Sequence, residues 1–200
     1  MCFGSPRQCQ QADRDTSVLA CDERDDIVYV DDFLTADEEE EIARRLRSFD
    51  LHPVRMHGVE TRRRIGSFGL DYRPGTRSLD AAMAIPDFLL EIRDRAARHA
   101  AHSSESLAQA LVTLYPAGSQ IGWHIDHPSF GDTVVAVSLL GRAVLELRRE
   151  KKGPTLFKRE LAPQSLYVMP PALRYGYLHR VIAREERFSI TFPEHQADCG

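Results

Sequence analysis

The chain has 200 residues and a formal net charge of -4. Hydrophobic residues make up 42% and charged residues 28%, an ordinary balance for a globular protein of one domain with a real core. No apolar run reaches membrane-spanning length, and the N-terminus lacks the apolar stretch of a secretory signal, which points to the cytoplasm or nucleus. The charge is uneven: residues 1–50 carry 6 Lys+Arg against 14 Asp+Glu, net -8, and the remainder is net +4. A mildly basic body is a weak hint of a polyanionic partner. Cys2, Cys9, Cys21 and Cys199 lie at the ends of the chain and match no zinc spacing.

Residues 1–25 are polar and without periodicity, and read as a disordered leader before a single domain over 26–195. Ile27 to Val30 form a β-branched and aromatic run, a strand. Thr35 with Glu38 is a capping-box pattern that opens a helix over about 36–47, with Ile42 and Leu46 on one face. Residues 51–80 read as irregular loop with short strands. Pro86 starts a second helix, to about residue 102, with Phe88, Leu89 and Ile92 facing inward.

From residue 110 short apolar runs recur between Gly, Pro and charged turns: 111–115, 122–126, 134–140, 143–148, 155–157, 165–169, 177–182 and 187–192. Two helices before an all-β half give an α+β class, and a jelly roll fits the spacing best.

His124 and Asp126 are two apart, so on a strand both side chains face one side. His179 lies 53 residues after Asp126, in a later strand. Two histidines and a carboxylate on one face of an ion form the facial triad of non-haem Fe(II) oxygenases, which leaves positions open for a chelating co-substrate and dioxygen. A bare His-x-Asp recurs by chance, so Arg187 adds weight. It shares a strand face with Ser189 and Thr191, while Phe188, Ile190 and Phe192 take the other. A buried Arg there needs an anion, and a dicarboxylate supplies one. By the same alternation Trp123 and His127 point away from the metal, Trp123 into the core. The remaining histidines read as surface.

These motifs resemble the AlkB family of 2-oxoglutarate oxygenases, nearer its animal and plant RNA-acting branches. The matching residues are Tyr115-Pro116-x-Gly118, His124-x-Asp126, Val137-x-Leu139, Met169, Arg174-Tyr175-x-Tyr177-x-His179-x-Val181 and Arg187-x-Ser189-x-Thr191-Phe192. The front half fits too, through Arg64-x-x-x-Phe68-Gly69-x-x-Tyr72. The resemblance implies a double-stranded β-helix over 110–193 with the N-terminal helices packed on its major sheet. It implies Fe(II), 2-oxoglutarate and dioxygen as cofactors, with Arg187, Tyr115, Thr113 and Ser189 around the co-substrate. It implies a substrate-recognition lid over 51–80, with Arg64, Phe68, Tyr72 and Arg174 addressing the substrate. The implied reaction removes an N-methyl group from a base of RNA or single-stranded DNA, as formaldehyde.

Two positions depart from the family pattern. Pro193 stands where a second arginine is usual, so co-substrate binding is expected to be weaker, or a substitute such as Arg174 or Arg180 must serve. Pro128 stands where repair members carry an acid that reads the base. The same chemistry on a protein, lipid or small molecule is the alternative, and a non-catalytic metal-binding jelly roll is a third reading.

Overall fold

The structure, a computed structural model, describes residues 27–56, 59–73, 78–81, 83–126 and 131–194. Among the described residues, twelve strands form two antiparallel sheets. In chain order the elements are β1 (Val28–Val30), α1 (Ala36–Leu46), β2 (His52–Met56), β3 (Val59–Arg73), β4 (Ser78–Ala81) and α2 (Asp87–Ala100). A 3-10 turn (Ser104–Ser106) leads to β5 (Gln109–Tyr115), β6 (Gln120–His124), β7 (Val134–Leu139), β8 (Ala143–Arg148), β9 (Phe157–Leu161) and β10 (Leu166–Met169). Then come α3 (Pro171–Gly176), β11 (Leu178–Ala183) and β12 (Arg187–Pro193). The major sheet runs β1-β10-β7-β12-β5-β3-β2, with β4 paired to β3, and the minor sheet runs β6-β11-β8-β9. This is the expected α+β jelly roll of the double-stranded β-helix type.

Strand alternation divides the interior in two. On β12, Phe188, Ile190 and Phe192 pack with Val135, Val137 and Val112 against Leu46 of α1 and Leu89 and Ile92 of α2. The opposite face of the major sheet looks onto the minor sheet, where Tyr167 and Met169 meet Leu145, Leu147 and Val181. Helix α1 starts where its capping box says it should: Glu38 N donates to Thr35 Oγ1 at 3.2 Å and Thr35 N donates to Glu38 Oε2 at 2.8 Å. Buried Glu39 fixes the helix to the sheet by accepting from Leu140 N at 2.7 Å and Gln164 Nε2 at 2.8 Å.

Several expectations need correcting. Residues 51–80 are not mainly loop: β3 is 15 residues long and lies between β2 and β5 in the major sheet. Its Arg and Gly content hides the period of two, yet pairing on both sides satisfies its backbone. At Gly69 the φ of +83° redirects the strand, and a Cβ there would sit 2.2 Å from the Ala108 carbonyl oxygen. Beyond Gly69 the strand leaves β5, and residues 70–73 pair with β4 alone, as a hairpin. The run at 155–157 shifts to β9, and α3 was not foreseen, although Pro171 opens it in a position proline favours. Trp123 is half-buried rather than core, with the Arg148 and Arg180 guanidiniums over its ring at 4.0 and 4.5 Å. His102 is not a free surface residue: its Nε2 lies 2.9 Å from Thr133 Oγ1 and its Nδ1 3.5 Å from Glu194. His57, His127 and His195, the four cysteines and the 1–25 leader lie outside the described residues.

Candidate metal centre and co-substrate pocket

The minor sheet brings the two histidines together. Strands β6 and β11 pair antiparallel with His124 directly opposite His179, so side chains far apart in sequence become cross-strand neighbours with ring centroids 4.2 Å apart. His124 is the last residue of β6, and Asp126 follows just beyond the strand end. Its Oδ1 lies 3.3 Å from His124 Nε2 and 3.5 Å from His179 Nε2. One donor atom from each residue falls within 4.8 Å of the others, the only such group of three or more among the described residues.

The surroundings orient these donors. His124 Nδ1 lies 2.8 Å from the Gly122 carbonyl, which it meets as an N–H donor, and this turns Nε2 toward the centre. Asp126 Oδ2 accepts from Arg174 Nε at 2.7 Å. Burial pushes the Asp126 carboxyl up, but hydrogen bonding with His124 and His179, with the charges of His179 and Arg174, outweighs it and holds the group well below the usual carboxylate range.

A cavity of about 140 Å³ opens beside the triad. Strand β5 supplies Leu111, Thr113 and Tyr115 to it, and β12 supplies Arg187, Ser189, Thr191 and Pro193. The register explains the set, since Arg187 pairs with Tyr115 and Ser189 with Thr113. Arg187 is 1% exposed; its Nη2 donates to Ser138 Oγ at 2.8 Å, and its Nε has no acceptor among the described residues. Burial lowers the Arg187 pKa. Two imidazole nitrogens, one carboxylate oxygen and a buried guanidinium with a vacant donor fit Fe(II) and a dicarboxylate.

A sequence model of the 2OG-Fe(II) oxygenase superfamily matches residues 26–197. The chain belongs to this superfamily. Within it the chain is of the AlkB type, homologous to animal and plant AlkB homologues. Membership of this superfamily and the His124, Asp126, His179 group imply Fe(II) and 2-oxoglutarate as its cofactors. It is 28% identical over 172 residues to the mouse (Mus musculus) mitochondrial alpha-ketoglutarate-dependent dioxygenase alkB homolog 7, covering 85% of this chain and 68% of that one. It is 27% identical over 175 residues to the Arabidopsis thaliana alkylated DNA repair protein ALKBH8 homolog, covering 75% of this chain. The RNA replication protein of Grapevine virus A (isolate Is 151) is 35% identical over 98 residues, 47% of this chain. The chain spans 49% of the Arabidopsis relative and 6% of the viral one. The fold matches the solved structure of OsALKBH1 with a TM-score of 0.68 at 20% identity, over 85% of this chain and 97% of that one.

The residues expected at the substrate separate. Arg174 is 1% exposed and faces Asp126 and the Gly131 carbonyl rather than an open mouth. Phe68 is buried in the helix-side core, its ring 4.9 Å from that of Phe49. Arg64 shares that face of β3 and borders a groove with Phe49 and Phe188. The Tyr72 side chain lies outside the described residues. Arg63, one position from Arg64, is the arginine of β3 that reaches the cavity, with its guanidinium 5.8 Å from the Tyr115 ring. Alternation along 62–64 would have found it had the segment been read as a strand. Arg180 pairs with Glu146 at 2.6 Å and is not among the residues lining the cavity.

Proposed function

We propose that the chain oxidises an N-methyl group on a base of RNA or single-stranded DNA. When bound, Fe(II) and 2-oxoglutarate supply dioxygen-dependent oxidation of a C–H bond, with succinate and carbon dioxide as co-products. The protein's share is positioning. His124, Asp126 and His179 would hold the metal, and Arg187, beside Tyr115, Thr113 and Ser189, would hold the diacid. Tyr167, buried on the inner face of β10 with its hydroxyl pKa raised by burial, stays a neutral donor beside Arg187. The apolar side chains of Ile121, Val134, Met169 and Val181 keep water from the reacting carbon.

The observation that carries the substrate reading is the β3–β4 hairpin. The registers Thr191–Leu111 and Leu111–Ser67 place its base at the end of the barrel where Val134 pairs with Pro193 and with Met169. Asp126 and Arg174 sit at that same end, so the hairpin borders the mouth nearest the metal. Arg62 and Arg64 are exposed on the helix-side face of β3 toward the Arg187 end of the barrel, so they add basic surface but no charge at that mouth. The plant and viral relatives, an alkylated DNA repair protein and an RNA replication protein, agree by name with this reading.

A second reading is the same chemistry on a protein, lipid or small molecule. Burial of Phe68 favours it, because one of the two aromatics suited to stacking on a flipped base is unavailable. Succinate and formaldehyde release measured across N-methylated and unmethylated oligonucleotides separates the two. Stimulation by a methylated oligonucleotide, with one formaldehyde per base restored, supports the first reading. Turnover indifferent to every oligonucleotide refutes it.

A further inference from the structure

The carboxylate of Asp126 is divided between two neighbours. Oδ1 faces both imidazoles, at 3.3 and 3.5 Å, while Oδ2 accepts from Arg174 Nε at 2.7 Å. We propose that Arg174 is the positioning residue for Asp126, committing one carboxylate oxygen to itself so that the other alone serves the metal. A carboxylate held this way takes one coordination position rather than two, which keeps room for a chelating co-substrate and dioxygen.

Arg174 is built to be immobile. It is 1% exposed, on a helix turn opened by Pro170-Pro171, and its backbone N–H donates to the Pro170 carbonyl at 3.0 Å. Its Nη1 donates to the Gly131 carbonyl at 2.9 Å, and the hydroxyl of Tyr175, the next residue, donates to the same oxygen. Helix α3 therefore grips the chain at Asp126 and again at Gly131.

The opposite wall explains why this task falls to α3. Pro193 lines the cavity at the end of β12, and proline brings neither charge nor donor. Arg174 enters the same cavity from the β10 side and contributes that charge. Arg180, next to His179 on β11, is committed to Glu146.

The inference rests on the triad being a metal site and is independent of the substrate. Its test is Co(II) binding to the full chain without dioxygen turnover, followed by calorimetry and by the visible Co(II) spectrum, which reports coordination number. Arg174→Gln is expected to weaken Co(II) binding about 10- to 100-fold, the usual effect of losing a partner of a metal ligand, and to alter the spectrum. Arg174→Lys should recover part of the affinity, since it keeps the buried charge and loses the fixed fork. If Arg174→Gln fails to fold by circular dichroism, Arg174→Lys decides alone. Wild-type affinity and spectrum in the folded variant overturn the proposal, as does a defect confined to the KM for 2-oxoglutarate. A wild-type chain that binds no Co(II) overturns both the proposal and the metal site.

Discussion

Replacing Arg187 with Met tests the co-substrate pocket in two directions at once. Arg187 is 1% exposed, its side-chain bond goes to the neutral Ser138 hydroxyl at 2.8 Å, and its Nε has no acceptor among the described residues. A buried charge with so few partners costs several kcal/mol of desolvation, which a dicarboxylate would repay on binding. Hydrogen bonds to a charged group contribute about 1.5–3 kcal/mol, and about 1.4 kcal/mol is tenfold in affinity, so Arg187→Met should raise the KM for 2-oxoglutarate about 10- to 150-fold. The same change removes the unpaired charge from the resting protein. Exchanging buried ionic groups for apolar ones of similar volume is commonly neutral or stabilising by about 1–4 kcal/mol. The apo melting temperature should therefore hold or rise, while the stabilisation by 2-oxoglutarate with Mn(II) disappears. Thermal melts with and without ligand, beside a succinate assay, read both arms. A variant with wild-type KM, or one whose apo form melts several degrees lower, would refute the reasoning.

Further outcomes follow from other parts of the fold. His124→Ala and Asp126→Ala should each reduce succinate formation to background, measured with Fe(II) and 2-oxoglutarate under air. Gly69→Ala, at φ +83° with the Ala108 carbonyl oxygen 2.2 Å from the new Cβ, should cost more than about 2 kcal/mol in urea denaturation. Thr35→Ala removes the α1 cap and should cost about 1 kcal/mol, lowering the melting temperature by about 2–4 °C. The Glu38 carboxyl is held below its ordinary value of 4.5 chiefly by the Thr35 backbone N–H, with Arg95 assisting. A depressed folded-state pKa gives stability that is present above 4.5 and lost as pH falls through the lower folded value. The stability gap between wild type and Glu38→Gln should accordingly shrink as the pH falls below 4.5.

Where local chemistry decided the structure, the sequence was easy to read. The Thr35–Glu38 box set the start of α1 because its partners lie within one turn. The alternation of Arg187, Ser189 and Thr191 against Phe188, Ile190 and Phe192 separated the cavity wall from the helix-side core, because a strand leaves no third option. Strand β3 was obscured by its own composition: Arg62-Arg63-Arg64 and two glycines resemble a loop, and only pairing with β2 and β5 makes them a strand. The resemblance pointed to Arg64 and Phe68, whereas strand alternation brings Arg63 to the cavity. The contact between Arg174 and Asp126, 48 residues apart, depends on where α3 lies against the metal end of the barrel, and no local pattern encodes it.

The most direct measurement is calorimetric titration of 2-oxoglutarate into the chain under anaerobic conditions, with and without Mn(II) in place of Fe(II). One equivalent should bind when the metal is present. Binding should fall away in its absence and in Asp126→Ala. Equal binding with and without metal, or none at all in the wild-type chain, would contradict a shared centre of His124, Asp126, His179 and Arg187.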